Sequence, residues 1–250
     1  MRAGSPLHIG CAGWALPAAA RDAFPQEGSH LARYAAVFTA AEINSSFYRP
    51  HRPATYARWA ASVPDEFRFS VKVPKSITHA ARLERAQSLL DAFLPGPFEL
   101  GEHLGSLLVQ LPPSLVFDAP TVRIFCRALR SRVDTAVVFE PRHVSWFTAA
   151  ADDLLGQFRI GRAGADPPPA PGAGLPGAWP ETAYFRLHGS PRMYYSSYPA
   201  EYLDTLARRL AAFRADGAAV WCIFDNTAHG AATADALALR SLLPDAVVFQ

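Results

Sequence analysis

Lysine is almost missing from this chain: of its 24 basic residues only Lys72 and Lys75 are lysine, and the rest are arginine. A strong positive charge is missing too. The formal net charge is +2 over 250 residues, and basic runs do not exceed a pair such as Arg208-Arg209, which argues against nucleic acid as the partner. The three cysteines, Cys11, Cys126 and Cys222, are odd in number and widely spaced. That excludes a disulfide framework or zinc knuckle and fits a reducing cytoplasm. No apolar run is long enough for a signal peptide or a membrane span, so a cytoplasmic protein with no membrane partner is expected. The glycine-rich dinucleotide fingerprint, the P-loop, the His-Glu-x-x-His helix and the nucleophile elbow are all absent. No nucleotide or flavin cofactor is expected, and no local spacing calls for a metal.

What is present is enough apolar material for one large core. Half the residues are hydrophobic and 18% are charged, at a length that matches a single (β/α)₈ TIM-type barrel over residues 1–250. Strand-like runs alternate with helical patterns, the signature of βα units around a parallel sheet. Eight strands are expected: 7–11, 41–45, 67–73, 106–110, 136–140, 159–163, 183–187 and 219–224. Helices are expected at 29–37, capped by Ser29, and at 54–62, 82–93, 121–130, 149–157, 200–215 and 232–242. The third strand shows the period most clearly, with Phe67, Phe69, Val71 and Val73 alternating against Arg68, Ser70 and Lys72. Residues 166–180 are rich in Pro and Gly and read as an exposed loop. The apolar stretch 246–249 is expected to pack beneath the barrel.

In such barrels function sits just past the carboxyl ends of the strands. Here those positions are polar after seven of the eight runs. Successive strand ends carry Trp14; Glu42, Asn44 and Tyr48; Lys72 and His79; Gln110; Glu140, Arg142 and Trp146; Arg186 and His188; and Asp225 with Asn226. Branched apolar residues fill the interior of a purely structural barrel, where unpaired charges cost several kcal/mol, so a polar set of this kind points to a pocket.

The segments IGCAGW, EINSSFY, FSVKVPKSITH, LLVQLPPSL, VFEPRHVSW, YFRLHG and CIFDNTAHGAA, in this order over nearly the whole chain, resemble the YecE-like family, also called domain of unknown function 72. The resemblance implies a (β/α)₈ barrel of unproven activity, loosely related to sugar isomerases. Two positions depart from the family's pattern: Ala12 stands where Ser is usual, removing a hydroxyl, and Asp225 replaces the first Asn of a Phe-Asn-Asn triplet, adding a carboxylate.

The residues suggest acid/base chemistry, of isomerase, epimerase or hydrolase type, on a small polyhydroxylated or anionic substrate such as a sugar or a phosphate-bearing molecule. Glu42 and Glu140 read as an acid and base pair, or equally as ion-pair partners of Arg142 or Arg186. His188 is the first choice for proton transfer because imidazole titrates near neutrality, with a satisfied core histidine as the alternative. Lys72 is a catalytic candidate because an ammonium changes its pKa on burial where a guanidinium does not. Trp14, Tyr48, Trp146, Tyr194, Tyr195 and Tyr198 supply flat faces, some of them for packing alone. Arg142 and Arg186 suit a carboxylate or phosphate, and Asn44, His79, Gln110, Asp225 and Asn226 complete the substrate set. Two other readings remain open. One is a metal-dependent, phosphodiester-directed barrel with Glu42, Glu140, His188 and Asp225 as ligands. The other is a non-catalytic ligand-binding barrel, favoured if the carboxylates are fully ion-paired.

Overall fold

The eight apolar runs form one ring of strands in the computed structural model, which describes residues 5–243. In chain order the elements are β1 (Leu7–Ala12), α1 (His30–Ala35), β2 (Ala40–Ile43), α2 (Pro53–Ala60), β3 (Arg68–Lys72), α3 (Gln87–Phe93) and α4 (Pro95–Phe98). They continue with β4 (Leu104–Gln110), α5 (Ala119–Arg130), β5 (Ala136–Glu140), α6 (Ala149–Gln157), β6 (Ile160–Arg162), β7 (Gly164–Asp166) and β8 (Gly177–Ala178). The last four are β9 (Thr182–Leu187), α7 (Ala200–Ala215), β10 (Ala219–Phe224) and α8 (Ala231–Ser241). Every strand pair is parallel except β6 with β8. The sheet runs from β9 through β10, β1, β2, β3, β4 and β5 to β6, while β7 returns to β9. Only Ala163 separates β6 from β7, so a single kinked sixth strand nearly closes the barrel, its first half on β5 and its second half on β9.

Two apolar clusters show which side chains face inward. A large one, including Phe69, Val71, Leu107, Val109, Val137, Phe139, Phe185, Cys222 and Phe224, lies between the sheet and the helices. A small one, with Ala40, Leu108, Val138, Tyr184, Trp221 and Ile223, fills the barrel. The period of two then puts Ser70, Lys72, Ser106, Glu42, Glu140 and Arg186 on the inner face as well. The expected cap of α1 is present, with Ser29 Oγ accepting from the Ala32 amide at 3.1 Å.

Two expectations need correction. The helix expected over 82–93 begins only at Gln87, because Arg82, Leu83 and Arg85 take left-handed backbone angles (φ 51°, 69° and 47°) that no helix accommodates. The segment expected as an exposed loop over 166–180 is exposed in part, at Pro168, Pro169, Pro171, Gly172 and Leu175, but Ala173 is fully buried, Ala165 N–H donates to Ala173 O, and β8 pairs antiparallel with β6. Its small residues allow this approach, since a Cβ on Gly164 would meet Leu175 backbone at 2.8 Å. The apolar stretch 246–249 lies outside the described residues.

One contact sets the spacing of β1 and β2. Tyr34 of α1 reaches between them, its hydroxyl accepting from the Cys11 amide at 2.7 Å and donating to Ala40 O at 3.1 Å. Gly10 makes room for it: a Cβ there would stand 1.8 Å from Ala40 O and 2.9 Å from the Tyr34 hydroxyl. Gly10→Ala is expected to destabilise the fold by about 3 kcal/mol or more and to lower Tm by more than about 5 °C; an unchanged melting curve would show that β1 and β2 separate freely.

Candidate functional site

The inner-face parity that buries the barrel's side chains delivers a charged layer at the carboxyl ends of the strands. Its centre is Arg186 on β9, fully buried. Its guanidinium grips Glu42 of β2 with two bonds, Nε to Oε2 at 2.9 Å and Nη2 to Oε1 at 2.7 Å. It also donates to Glu140 Oε2 of β5 at 3.3 Å and lies 3.1 Å from Asp225 Oδ2 just past β10. A planar five-donor fork is the one side chain that can face three carboxylates at once.

His188 closes the far side. Its Nε2 lies 2.8 Å from Glu140 Oε1 and its Nδ1 lies 2.9 Å from Asp225 Oδ2. Arg142, at the mouth, donates to Glu140 Oε1 at 2.8 Å and approaches His188 Nε2 at 2.9 Å. A doubly protonated ring donates to both carboxylates, while a ring protonated on Nδ1 alone donates to Asp225 and accepts from Arg142, so the surroundings accept either proton count. Gln110 donates to Glu140 Oε2 at 2.9 Å. Burial works to raise the Glu140 carboxyl, yet Arg186, Arg142 and His188 outweigh it and hold Glu140 well below the usual carboxylate range. Burial opposes ionisation of Asp225 in the same way, and Arg186 and His188 keep it low.

Beneath this layer run groups that sequence reasoning missed. The Tyr184 hydroxyl lies 3.1 Å from Glu42 Oε2 and 2.9 Å from Ser70 Oγ, with one proton to give to either, and Ser106 donates to Ser70 at 2.9 Å. Strand parity carried the signal, because Tyr184 is two residues before Arg186 and Ser70 two before Lys72. Phe47 was also missed; its ring lies 4.3 Å from Lys72 Nζ.

Beside the ring a cleft of about 350 Å³ is lined by Gly13, Trp14, Glu42, Asn44, Ser45 and Tyr48. Trp14 and the exposed Tyr48 supply aromatic faces, and the Asn44 side-chain oxygen has no protein partner. His79 stands at the loop after β3, its ring edge-on to Phe47 and its Nδ1 2.8 Å from the Thr78 hydroxyl. Burial and the charges of Lys72, Arg142 and Lys75 push its pKa down.

Three expected ligand contacts lie elsewhere. Trp146 is fully buried in the outer apolar layer, donating to Leu115 O at 2.8 Å, because the short turn at Val144–Trp146 sends it away from the barrel axis. Tyr198 is a buttress: its hydroxyl accepts from the Gly189 amide at 2.8 Å and donates to Asp166 Oδ1 at 3.1 Å, fixing the turn after His188. Asn226 donates to Ser196 O and to Asp235 Oδ2 at 2.7 Å, tying the end of β10 to α8. Among the described residues no group of three or more His, Cys, Asp or Glu side chains is arranged to hold a metal ion. The four that the phosphodiester reading would assign to one face guanidinium groups or each other.

The ring and its cleft thus lie at the carboxyl ends of a nearly closed, mostly parallel barrel, the fold to which the comparisons also lead. The chain belongs to the family described as protein of unknown function DUF72, which matches residues 8–248. It is similar to the UPF0759 protein YecE of Escherichia coli K12, 28% identical over 148 residues, which is 59% of this chain and 52% of that protein. It is also similar to the UPF0759 protein YunF of Bacillus subtilis 168, 24% identical over 148 residues, 57% of this chain and 52% of that one. The chain thus spans about half the length of the curated relatives it matches. Two crystal structures of DUF72 family proteins share the fold. The one from Thermotoga maritima MSB8 has a TM-score of 0.78 at 23% identity, covering 96% of this chain and 99% of that one. The one from Enterococcus faecalis V583 has a TM-score of 0.78 at 19% identity, covering 98% and 97%. No helix among the described residues is long and apolar enough to cross a membrane.

Lys72 is the exception to the pairing. Its side chain is buried, but its nitrogen makes no hydrogen bond or ion pair among the described residues. Burial and the charge of Arg186 lower its pKa, Glu42, Glu140 and Asp225 pull it back up, and the balance lies at about 8. That is below the ~10.4 of an unfolded lysine, so the unfolded chain holds more protons between about pH 8 and pH 10.4. The lysine therefore costs stability below pH 8, and the cost disappears as pH rises through that window. Lys72→Met is expected to raise the unfolding free energy at pH 7 by up to about 3 kcal/mol, with the gain fading by about pH 10.5; denaturant titrations at both pH values check this. Glu140→Gln should do the opposite, costing about 3–5 kcal/mol by leaving Arg142 and Arg186 short of a partner, and a Gln variant with the parental Tm would show that those arginines find other acceptors.

Proposed function

We propose that this barrel is an enzyme performing acid/base chemistry, of isomerase, epimerase or hydrolase type, on a small polyhydroxylated or anionic molecule held between the cleft and the charged ring. The observation that carries the reading is the division of labour among the charged groups. Glu140 and Asp225 are held in their ionised form by arginine and histidine and Glu42 is gripped by Arg186, which leaves Lys72, its pKa brought to about 8, as the ring's cation outside any ion pair among the described residues, and His188 as an imidazole set between two carboxylates. Two proton-trading groups on opposite sides of one pocket suit an isomerase or epimerase, which takes a proton from carbon and returns it. Glu42 and Glu140 then act by fixed charge: they favour positive charge developing on Lys72 or His188 and need no proton of their own. Trp14, Tyr48 and Asn44 supply the stacking faces and the acceptor that a hydroxylated ring or chain would use.

A second reading, a barrel that binds a ligand without transforming it, is favoured by one specific observation: all three carboxylates are engaged in ion pairs within the protein. The two readings part in heavy water. Incubated with a panel of aldoses, ketoses and their phosphates, the protein is expected to exchange the C–H next to the carbonyl of at least one member for deuterium, seen by proton NMR, and His188→Asn should slow that exchange by about 100-fold with the fold retained. A panel member that raises Tm without any exchange would sink the enzymatic reading and leave the binding one.

A further inference from the structure

We propose that Lys72 is a covalent nucleophile whose ε-amine condenses with the aldehyde or ketone carbon of a small hydroxylated carbonyl compound to form an imine. The proposal rests on the acid/base reading above and deepens it by naming the substrate's reactive group. Three independent features of the structure support it.

The first is pairing. Arg186 and Arg142, the other cations of the ring, are each bound to carboxylate oxygens. Lys72 stands in the same layer, within the influence of Glu42, Glu140 and Asp225, yet those oxygens are taken up by guanidinium and imidazole. Among the described residues its nitrogen has only the Phe47 ring, 4.3 Å away. A lysine kept for an ion pair would be in one. The second is residue choice. In a chain with two lysines among 24 basic residues, one of them occupies the single barrel-interior position where an arginine would supply the same charge and no nucleophile. The third is the protonation environment. The groups facing this amine are Arg186 on β9, Glu42 on β2, Glu140 on β5, Asp225 after β10 and His79 in the loop after β3. Their sum with burial brings the amine to about 8, so about a fifth to a quarter of it is free base near pH 7.5, against roughly 0.1% for an ordinary lysine.

The step balances without a further reagent. The amine lone pair bonds to the carbonyl carbon while the C=O π pair moves to oxygen. That oxygen takes up two protons in all, replacing those the nitrogen gives up, and departs as water when the nitrogen lone pair forms C=N. His188, held between Glu140 and Asp225, is the relay group of the ring for those transfers. Once its nitrogen takes up a proton, the imine draws electrons from the neighbouring carbon, which makes its C–H easier to remove than in the free carbonyl compound.

Reductive trapping tests this directly, because Lys75 is exposed and serves as an internal control. The whole protein is incubated with dihydroxyacetone, reduced with sodium borohydride and digested, and its lysine peptides are weighed. The expected result is a mass gain equal to the ketone less one oxygen on Lys72, in about tenfold or greater excess over Lys75, with a midpoint near pH 8. Labelling of Lys72 should fall to that of Lys75 in urea and persist in Lys75→Arg, and Lys72→Arg should leave only the background on Lys75; the urea and Lys75→Arg arms stand even if Lys72→Arg fails to fold. Equal labelling of the two lysines in the native protein, or labelling of Lys75 alone, overturns the proposal. Deuterium exchange into a sugar with Lys72 unlabelled would overturn the imine while leaving the acid/base reading in place.

Discussion

The grip of Arg186 on Glu42 is the interaction on which the upper half of the barrel depends. Both side chains are fully buried, and moving either charge out of water alone would cost several kcal/mol. The bidentate bond offsets part of that cost, and it leaves guanidinium faces that Glu140 and Asp225 complete. Once those two carboxylates are present, His188 has an acceptor for each ring nitrogen and Arg142 has a partner at the mouth. Each group is tolerable only because the others are there. Replacing such a network by close-packed apolar residues is often neutral or stabilising, so stability alone gives little reason to build it here. Elsewhere the same interior is filled by Leu108, Val138 and Ile223, and its remaining polar groups, Ser70, Ser106 and Tyr184, are uncharged and bonded to one another or to Glu42.

Much of this was legible in the residues because a strand has a period of two and a barrel has one functional end. Parity placed Glu42, Lys72, Glu140 and Arg186 on the inner face, and the apolar runs before them located the strand ends. What parity could not supply is direction beyond the last paired residue. Trp146 and Tyr198 stand six and eleven residues past their strands, against two for Arg142 and one for Asn44, and the turns in between send them into the outer layer. Pairing was equally hidden. Glu140 could be read as an acid/base group or as an arginine partner, and only the side-chain geometry shows it bound to Arg142, Arg186 and His188 together. The segment over 166–180 misled for another reason. Pro and Gly usually mark exposed turns, but here their small volume lets the backbone lie against the sixth strand where a helix would otherwise pack.

The two positions at which the resemblance to the family implies another residue are neighbours: β1 pairs with β10 through Cys11 and Phe224, and Ala12 and Asp225 follow side by side. Ala12 pairs in register with Glu42, so a hydroxyl at that position would stand at the edge of the cleft beside the carboxylate. Asp225 adds the third carboxylate, and the geometry uses it: it holds His188 Nδ1 at 2.9 Å and faces Arg186 at 3.1 Å. An asparagine in its place could accept the same imidazole hydrogen bond without adding charge. The added charge therefore changes the electrostatics of His188 and Lys72 more than it changes the packing.

That addition bears on how a proton can move through the site. With Asp225 present, three carboxylates face three cations, Arg186, Arg142 and Lys72, and the ring is electrically balanced with His188 uncharged. Moving one proton from Lys72 to His188 leaves the sum unchanged, and the imidazolium so formed has a carboxylate against each nitrogen. Without Asp225 the same transfer would leave one ring nitrogen without an anionic acceptor. In a low-dielectric interior, a transfer that keeps the charge count and the hydrogen bonds intact avoids the large cost of creating an uncompensated ion. The arginines and carboxylates, paired with one another, are thus the fixed part of the site, and Lys72 is the cation of the ring that no ion pair holds among the described residues.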